Sequence, residues 1–373
     1  MQTEHKGDEM ENLYWLWLAS LTAIGNQRKL ALLEYFKDPK EIYAADDRDL
    51  VEFGHLTEKD EAVLKASRDL TTAERAAAYA EKHRIDFFPI QSEAYPAGLK
   101  KIYNPPAFLF ARGNRSLFSR DIRIAIVGSR SATPGGLKLA SQFGQELSEM
   151  GMTVVSGMAE GIDANSHWGA LQGIGSTIAV LGSGADICYP KKNQSLYEAL
   201  CEKGLLVSEF FLGEKPLPFH FPMRNRVISG LSDGVLVVEA RQKSGALITA
   251  KHAVEQGKNV YAIPQDIHLV QSVGSNALLK DGAKVVTEAA DILEDYAVKA
   301  KRRKRKAKAA RAALPSKLSP LEGELYGHCQ NGVLNVDGLA QISGQDIQQI
   351  NTALMMLELK DLIHVAYGQV SLL

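Results

Sequence analysis

Residues 122–136 read IRIAIVGSRSATPGG, and this stretch decides the fold class. Ile124, Ala125, Ile126 and Val127 form a continuous apolar run, not an alternating one, which predicts a strand buried on both faces of a parallel sheet. Gly128 ends it where a backbone can turn tightly and approach a ligand closely. Ser129 and Arg130 follow, and a guanidinium is well shaped to fork a phosphate. Pro134 then opens a helix through Leu137, Ala140, Phe143 and Leu147, at the first-turn position that proline tolerates. Two readings of Arg130 stand side by side: an anion ligand at the carboxyl edge of a sheet, or a solvated side chain at an ordinary turn.

The pattern continues outward. Strand-like runs at 122–127, 152–156, 177–181, 205–208, 235–239, 260–263 and 284–287 alternate with helices opening near Pro134, Gly161, Asn193, Phe221, Gly245 and Asn276. Seven strands with intervening helices predict an α/β fold, a doubly wound parallel sheet with right-handed crossovers. Ahead of it, 87–90 and 107–113 are strand-like and read as an addition before the main sheet. Residues 13–70 read as wholly helical, with Gly25, Arg28 and Lys29 loosely fitting a helix-hairpin-helix whose turn amides hold a DNA phosphate. A plain helical packing domain is the simpler reading there.

After the sheet, 299–311 (KAKRRKRKAKAAR) holds nine basic residues and no acidic one, which marks a linker that cannot bury a core. It reads equally as a soluble tether and as a polybasic segment attracted to a phosphate backbone. Residues 318–373 close the chain with three helical segments and two short strands flanking Tyr367-Gly368, a winged-helix pattern. The third helix, 346–359, is expected to turn Ile347, Ile350, Leu354 and Leu357 inward. It would be the DNA reader of such a fold, yet it has Asp346 and Glu358 and no Lys or Arg, so a protein contact is the better expectation. The expected divisions are 1–80 helical, 81–296 Rossmann-like, 297–317 linker and 318–373 winged-helix-like.

Composition narrows the classes. At 373 residues and 45% hydrophobic, the chain is long enough for two or three domains. Its net charge of −1 hides a segregation: outside 299–311 there are 34 basic against 44 acidic residues, so any basic surface on the folded parts is local. Three scattered cysteines suggest neither a disulfide framework nor a metal site and suit a reducing cytoplasm. No secretory signal is visible, and the uncharged stretch at 12–27 is short of a membrane span.

Small and polar residues cluster at the expected strand ends, in 156–167, 182–193, 221–226 and 239–245. Strand ends converge on one edge of such a sheet, so a shared cleft holding Arg130, Lys191, Arg224, Arg226 and Lys243 is expected. That is a phosphate-binding inventory. Gly182 and Gly184 begin a dinucleotide fingerprint, but Ile187 stands where its third glycine belongs. Pro134-Gly135-Gly136 matches only the start of the PGGxGT signature of phosphoribohydrolases. His167 reads as a general base or, more simply, as a structural histidine. Asp163 and Glu239 read as a carboxylate pair, or as a loop-fixing residue and a partner for a basic neighbour. Arg224 and Arg226 diverge on a helix, so one is expected to reach ligand while the other pairs with a carboxylate such as Glu239. No Walker A sequence is present.

Taken in order, Gly128-Ser129-Arg130, Ser156-Gly157-x-Ala159-x-Gly161-Ile162-Asp163, Gly182-x-Gly184-x-Asp186-x-x-Tyr189-Pro190-x-x-Asn193, Phe221-Pro222-x-Arg224-Asn225-Arg226 and Val238-Glu239-Ala240 followed by Ser244-Gly245-Ala246 resemble the DNA-processing protein A (DprA/Smf) family. The resemblance implies an extended Rossmann-like domain that binds single-stranded DNA, hands strands to the RecA recombinase in natural transformation and forms a homodimer. Carried over by position, it implies DNA contacts from Ser129, Arg130, Lys191, Asn193, Arg224 and Arg226, with Gly128, Gly157, Asn225, Lys243 and Ser244 completing the site. No catalytic set, cofactor or metal is implied. Tyr189 and Phe221 are the stacking candidates. The chain departs from the family pattern at Gln265, where a glycine usually follows Pro264, and before Gly274, which lacks the usual arginine. The alternative is a phosphoribohydrolase-like enzyme on a related sheet, using His167, Asp163 and Glu239.

Overall fold

The computed structural model describes residues 12–296, 318–330, 335–360, 362–366 and 369–372. The basic run at 299–311 and the Tyr367-Gly368 turn lie outside the described residues. The chain divides into two units, Met1–Tyr296 and Ala297–Leu373.

The first unit begins with helices α1 (residues 12–20), α2 (Asn26–Phe36), α3 (Pro39–Ala44), α4 (Asp47–Phe53), α5 (Glu58–Ala66) and α6 (Thr71–His83). Asp46 and Thr57 open α4 and α5 with capping boxes, each side chain taking orphan N–H groups of the first turn. Trp15, Trp17, Leu18, Leu32 and Leu50 pack with Ile85, Phe108 and Phe110, so this layer is a helical cover on one end of the sheet. Of the two cations behind the helix-hairpin-helix reading, one is buried and the other is exposed but paired with a carboxylate. Lys29 is buried, donates to the Ala19 carbonyl at 3.1 Å and sits 5.1 Å over the Phe108 ring. Burial lowers its pKa to about 7. Arg28 pairs with Asp60 at 3.2 Å.

One nine-stranded sheet follows: β1 (Ile85–Pro89), β2 (Phe108–Gly113), β3 (Arg123–Val127), β4 (Thr153–Ser156), β5 (Thr177–Val180), β6 (Leu205–Ser208), β7 (Gly234–Val237), β8 (Asn259–Ala262) and β9 (Lys284–Val285), in the order β1-β2-β6-β5-β4-β3-β7-β8-β9. The seven expected strands are all present and pair in parallel. The two runs read as an addition are instead the sheet's own edge: β2 pairs antiparallel with β6, Phe110 opposite Ser208, and β1 pairs with β2. Phe108, Leu109, Phe110 and Ala111 are buried on both faces, which only a strand inside a sheet achieves.

Between the parallel strands run α7 (Pro134–Glu149), α8 (Ile162–Ala170), α9 (Gln194–Lys203), α10 (His220–Leu231), α11 (Gly245–Glu255) and α12 (Val273–Lys280), and α13 (residues 289–296) follows β9. α12 starts three residues ahead of the expected Asn276. Gly274 N–H donates to the Ala240 carbonyl at 2.7 Å, where a Cβ would lie 2.5 Å from the Arg241 carbonyl, so the helix is anchored one turn early. The departing loop is closed by amides: Gln265 and Asn276 exchange hydrogen bonds of 3.2 and 3.1 Å. β3 pairs with β4 on one side and β7 on the other, so the strand order reverses there. Such a switch point opens a crevice at the carboxyl ends.

The second unit is a winged-helix domain: α14 (Pro320–Gln330), α15 (Val336–Ser343), α16 (Ile347–Glu358) and the antiparallel pair β10 (Ile363–Ala366) and β11 (Gln369–Leu372). Gly344 stops α15 at φ +64°, a left-handed conformation that suits glycine. On α16, Ile350, Ala353, Leu354 and Leu357 are buried, but Ile347 is 51% exposed. It is the first helical residue, one turn ahead of the core layer that begins at Ile350.

Candidate nucleic-acid interface

A cleft of about 530 Å³ opens at the switch point, lined by the exit of β3, the start of α8, the first half of α10 and the loop into α11. Its first wall is the turn after β3. A Cβ on Gly128 would lie 2.6 Å from the Ile162 side chain and 2.8 Å from the Glu239 carbonyl, so only glycine passes between them. Ser129 N–H donates to the Glu239 carbonyl at 2.7 Å, and its own carbonyl accepts from Ile162 N–H at 3.2 Å. The clamped turn presents Arg130 to solvent.

Arg130 lies with its guanidinium 5.5 Å from the Phe221 ring centroid. Arg224, one turn further along α10, approaches the same ring at 6.0 Å. The exposed Tyr189 ring packs 5.4 Å from Phe221, tilted by 32°. Residues far apart in the chain thus form one cation–aromatic assembly.

The two arginines differ in burial. Arg224 is 4% exposed; its Nη1 donates to the Gly157 carbonyl at 2.9 Å and to the Val180 carbonyl, and its Nε to Asn225 Oδ1 at 3.3 Å. Burial lowers its pKa to about 10, so it stays charged at neutral pH. Gly157 has no room for a Cβ, which would sit 2.7 Å from that guanidinium. Asp163 fixes the same loop by accepting from Gly157 N–H at 3.1 Å. Burial pushes its carboxyl up, and Arg224 works against that shift.

Arg226 diverges from Arg224 and pairs with the buried Glu209 at 2.5 Å. Its carboxylate is therefore Glu209 and not the expected Glu239. Burial raises the Glu209 pKa while Arg226 opposes the rise. Glu239 does not hold a basic neighbour: its Oε2 accepts from Thr133 N–H at 2.9 Å and its Oε1 from the Thr133 hydroxyl. His167 is fully buried, with Nδ1 2.7 Å from Thr177 Oγ1. The Thr177 hydroxyl donates onward to the Val154 carbonyl at 2.9 Å, so His167 Nδ1 is the donor. Burial lowers the His167 pKa to about 3, which keeps it neutral.

Of the expected residues, Gly128, Ser129, Arg130, Arg224, Asn225, Lys243 and Ser244 line the cleft. Gly157, Lys191, Asn193 and Arg226 stand outside that lining. Lys191 is exposed on the 3₁₀ turn Lys191–Asn193, and Asn193 is tied to the Met158 carbonyl at 2.9 Å. Arg241 lies outside the expected set: it is exposed, lines the cleft, and is legible beside Lys243 as one of the two cations in the segment 239–245. Ser244 caps α11 by accepting from Ala246 N–H at 3.3 Å, and Asn225 Nδ2 donates to the Gly245 carbonyl at 3.2 Å. Among the described residues, no group of three His, Cys, Asp or Glu side chains is placed to hold a metal, and no helix is long and apolar enough to cross a membrane.

Exposed Arg130, Arg241 and Lys243 around an aromatic platform suit a polyanion that also offers flat rings. These features define a Rossmann-like α/β protein with a cation-rimmed crevice at its switch point, carrying a winged-helix unit. Residues 86–297 match the family model of DNA recombination-mediator protein A, and residues 308–369 match that of the DprA winged helix domain. The chain belongs to the DprA/Smf family. It is 43% identical over 219 residues to DNA processing protein DprA of Bacillus subtilis, covering 59% of this chain and 73% of that one. It is 37% identical over 308 residues to protein Smf of Escherichia coli, covering 79% of each. The X-ray structure of DprA from Streptococcus pneumoniae superposes with a TM-score of 0.66 at 36% identity, covering 76% of this chain and 97% of that one. DNA processing protein A from Helicobacter pylori superposes with a TM-score of 0.53 at 27% identity, covering 58% and 97%.

Proposed function

We propose that this chain is a non-enzymatic mediator that binds single-stranded DNA without sequence preference, protects incoming strands and loads RecA recombinase onto them during natural transformation. The observation that carries the reading is the assembly of Arg130, Phe221, Arg224 and Tyr189 at the cleft. Single strands are held by a cationic groove plus base stacking, without readout of base edges. Exposed Arg130, Arg241 and Lys243 supply the groove, and Phe221 and Tyr189 supply ring faces. The Helicobacter pylori relative, studied for its single-stranded DNA binding mode, supports the same assignment.

The hydrolase alternative loses support because His167 and Glu239 are fully buried and held in hydrogen bonds of their own. A homodimer through the Rossmann-like domain is part of the reading. Ile267, Val270 and Val273 stand 78, 64 and 43% exposed along the loop into α12, an apolar strip that a second copy would cover. A gel-shift comparing single with double strands, with and without RecA, tests the function. Preferential retention of the single strand and faster RecA filament assembly on it are expected. Equal binding of both forms with no effect on RecA would overturn the reading.

A further inference from the structure

We propose that the start of α11, together with Arg224, is a seat for a terminal phosphate monoester, so that the cleft takes a single strand by a phosphorylated end. The role rests on the single-strand reading above and deepens it.

The loop into α11 turns tightly, with Ser244 N–H donating to the Arg241 carbonyl at 3.0 Å. Ser244 Oγ accepts from Ala246 N–H at 3.3 Å, which leaves the hydroxyl proton to donate outward. Gly245, the first helical residue, has no partner for its N–H among the described residues, and a Cβ there would meet nothing within 4 Å. Both residues line the cleft. An open first-turn N–H at the positive end of an eleven-residue helix attracts an anion.

A buried side chain in the same cleft independently calls for that anion. Arg224 is 4% exposed and lines the cleft. Its Nε is engaged by Asn225 Oδ1, and its Nη1 by the Gly157 and Val180 carbonyls. Nη2 has no partner among the described residues and is not sealed from solvent, so it is the nitrogen that Arg224 offers to the cleft. Asn225 joins it to the helix start, its Nδ2 donating to the Gly245 carbonyl at 3.2 Å. Arg130 faces the same space, since both guanidiniums flank the Phe221 ring. Burial does most to lower the Arg224 pKa, Asp163 opposes it, and Arg130 adds to the lowering, so the two cations repel. An anion between them removes that repulsion.

Charge and depth select the kind of phosphate. Arg130, Arg224, Arg241 and Lys243 line the cleft against one carboxylate, Asp163, which is engaged by Gly157 N–H at 3.1 Å. A phosphate monoester brings a charge of about −2 and three strong acceptor oxygens, whereas a phosphate within a strand brings about one charge. A backbone that continues in both directions runs along the rim, over the exposed Arg130, Arg241 and Lys243. A chain end can lower its phosphate onto Gly245 N–H and the buried Arg224.

The test is calorimetric titration of the full chain at constant ionic strength with three short oligothymidines. One bears a 5′-phosphate, one a 3′-phosphate, and the third is hydroxyl-ended and longer by a nucleotide, which matches the phosphate count. Wild type should bind one of the phosphorylated strands at least about tenfold more tightly than the hydroxyl-ended strand, and the two phosphorylated arms show which end is seated. Gly245→Pro deletes the N–H where a helix accepts proline, behind a Ser244 already extended at φ −78° and ψ 142°. It should reduce the preference below about threefold, while Gly245→Ala, which keeps the N–H, should retain it. Equal affinity of wild type for all three strands, or an undiminished preference in a folded Gly245→Pro, would overturn the seat. Should Gly245→Pro fail to fold, the wild-type comparison still decides. Thymidine 5′-monophosphate, titrated alone, keeps the two readings apart. Strand binding without end preference removes the seat and leaves the single-strand reading. Monophosphate binding that Gly245→Pro weakens, with no strand bound by wild type, removes the single-strand reading and leaves the seat.

Discussion

Arg130 and Arg224 approach the two sides of one decision, exposure or burial, and their substitutions should separate accordingly. Arg224 holds the Gly157 and Val180 carbonyls and opposes the burial shift of Asp163. Arg224→Ala should cost about 2–4 kcal/mol of stability, read as a lowered thermal midpoint, because buried acceptors lose their donor. Arg130→Ala removes an exposed side chain and should leave the midpoint unchanged while weakening oligonucleotide binding. His167 gives a pH signature. Its folded pKa of about 3 lies below the ordinary 6.5, so the unfolded chain takes up the proton first. Stability is therefore complete above pH 6.5 and is lost as the pH falls from there toward 3. By pH 5 the loss from this group is about 2 kcal/mol. Denaturant titrations at pH 7.5 and 5 should show it, and His167→Gln should remove that part of the difference.

Helix α10 is the element on which the site turns. Its first turn carries Phe221 to the cleft, its second buries Arg224, and its far side locks Arg226 onto Glu209. Phe221→Ala should weaken single-strand binding by about 1–3 kcal/mol, the value of one base–aromatic stack, with little change in salt dependence. Binding isotherms at two salt concentrations check this. The strands and helices around the cleft were legible because local signals agree there: continuous apolar runs, glycine at strand exits and Pro134 at a helix start. What was not legible depends on distant pairing. β1 and β2 carry the right composition, but their place in the sheet is set by β6, about a hundred residues on. Glu239 finds Thr133 across 106 residues, and Arg226 finds Glu209 through the packing of α10 on the sheet. No local pattern announces either bond. Burial likewise divides Arg224 from Arg130, although both look like phosphate ligands in the sequence.

At the scale of the whole molecule, two units with separate cores are joined by a sequence that includes nine cations between 299 and 311. A chain ending at 296 should fold by itself and keep the cleft. Comparing it with a chain ending at 317 reads the contribution of the basic run to binding as a change in salt slope. α16 has neither Lys nor Arg, so adding residues 318–373 should change single-strand affinity little. The central claim is that exposed cations at the strand ends hold the backbone of a single strand. Its most direct measurement is the salt dependence of oligothymidine binding by fluorescence anisotropy, wild type against the Arg130→Ala/Lys243→Ala double variant. The account predicts weaker binding by the double variant and a log–log slope shallower by about 1.4, two phosphate contacts at about 0.7 each. Identical affinity and slope in a folded double variant would contradict it.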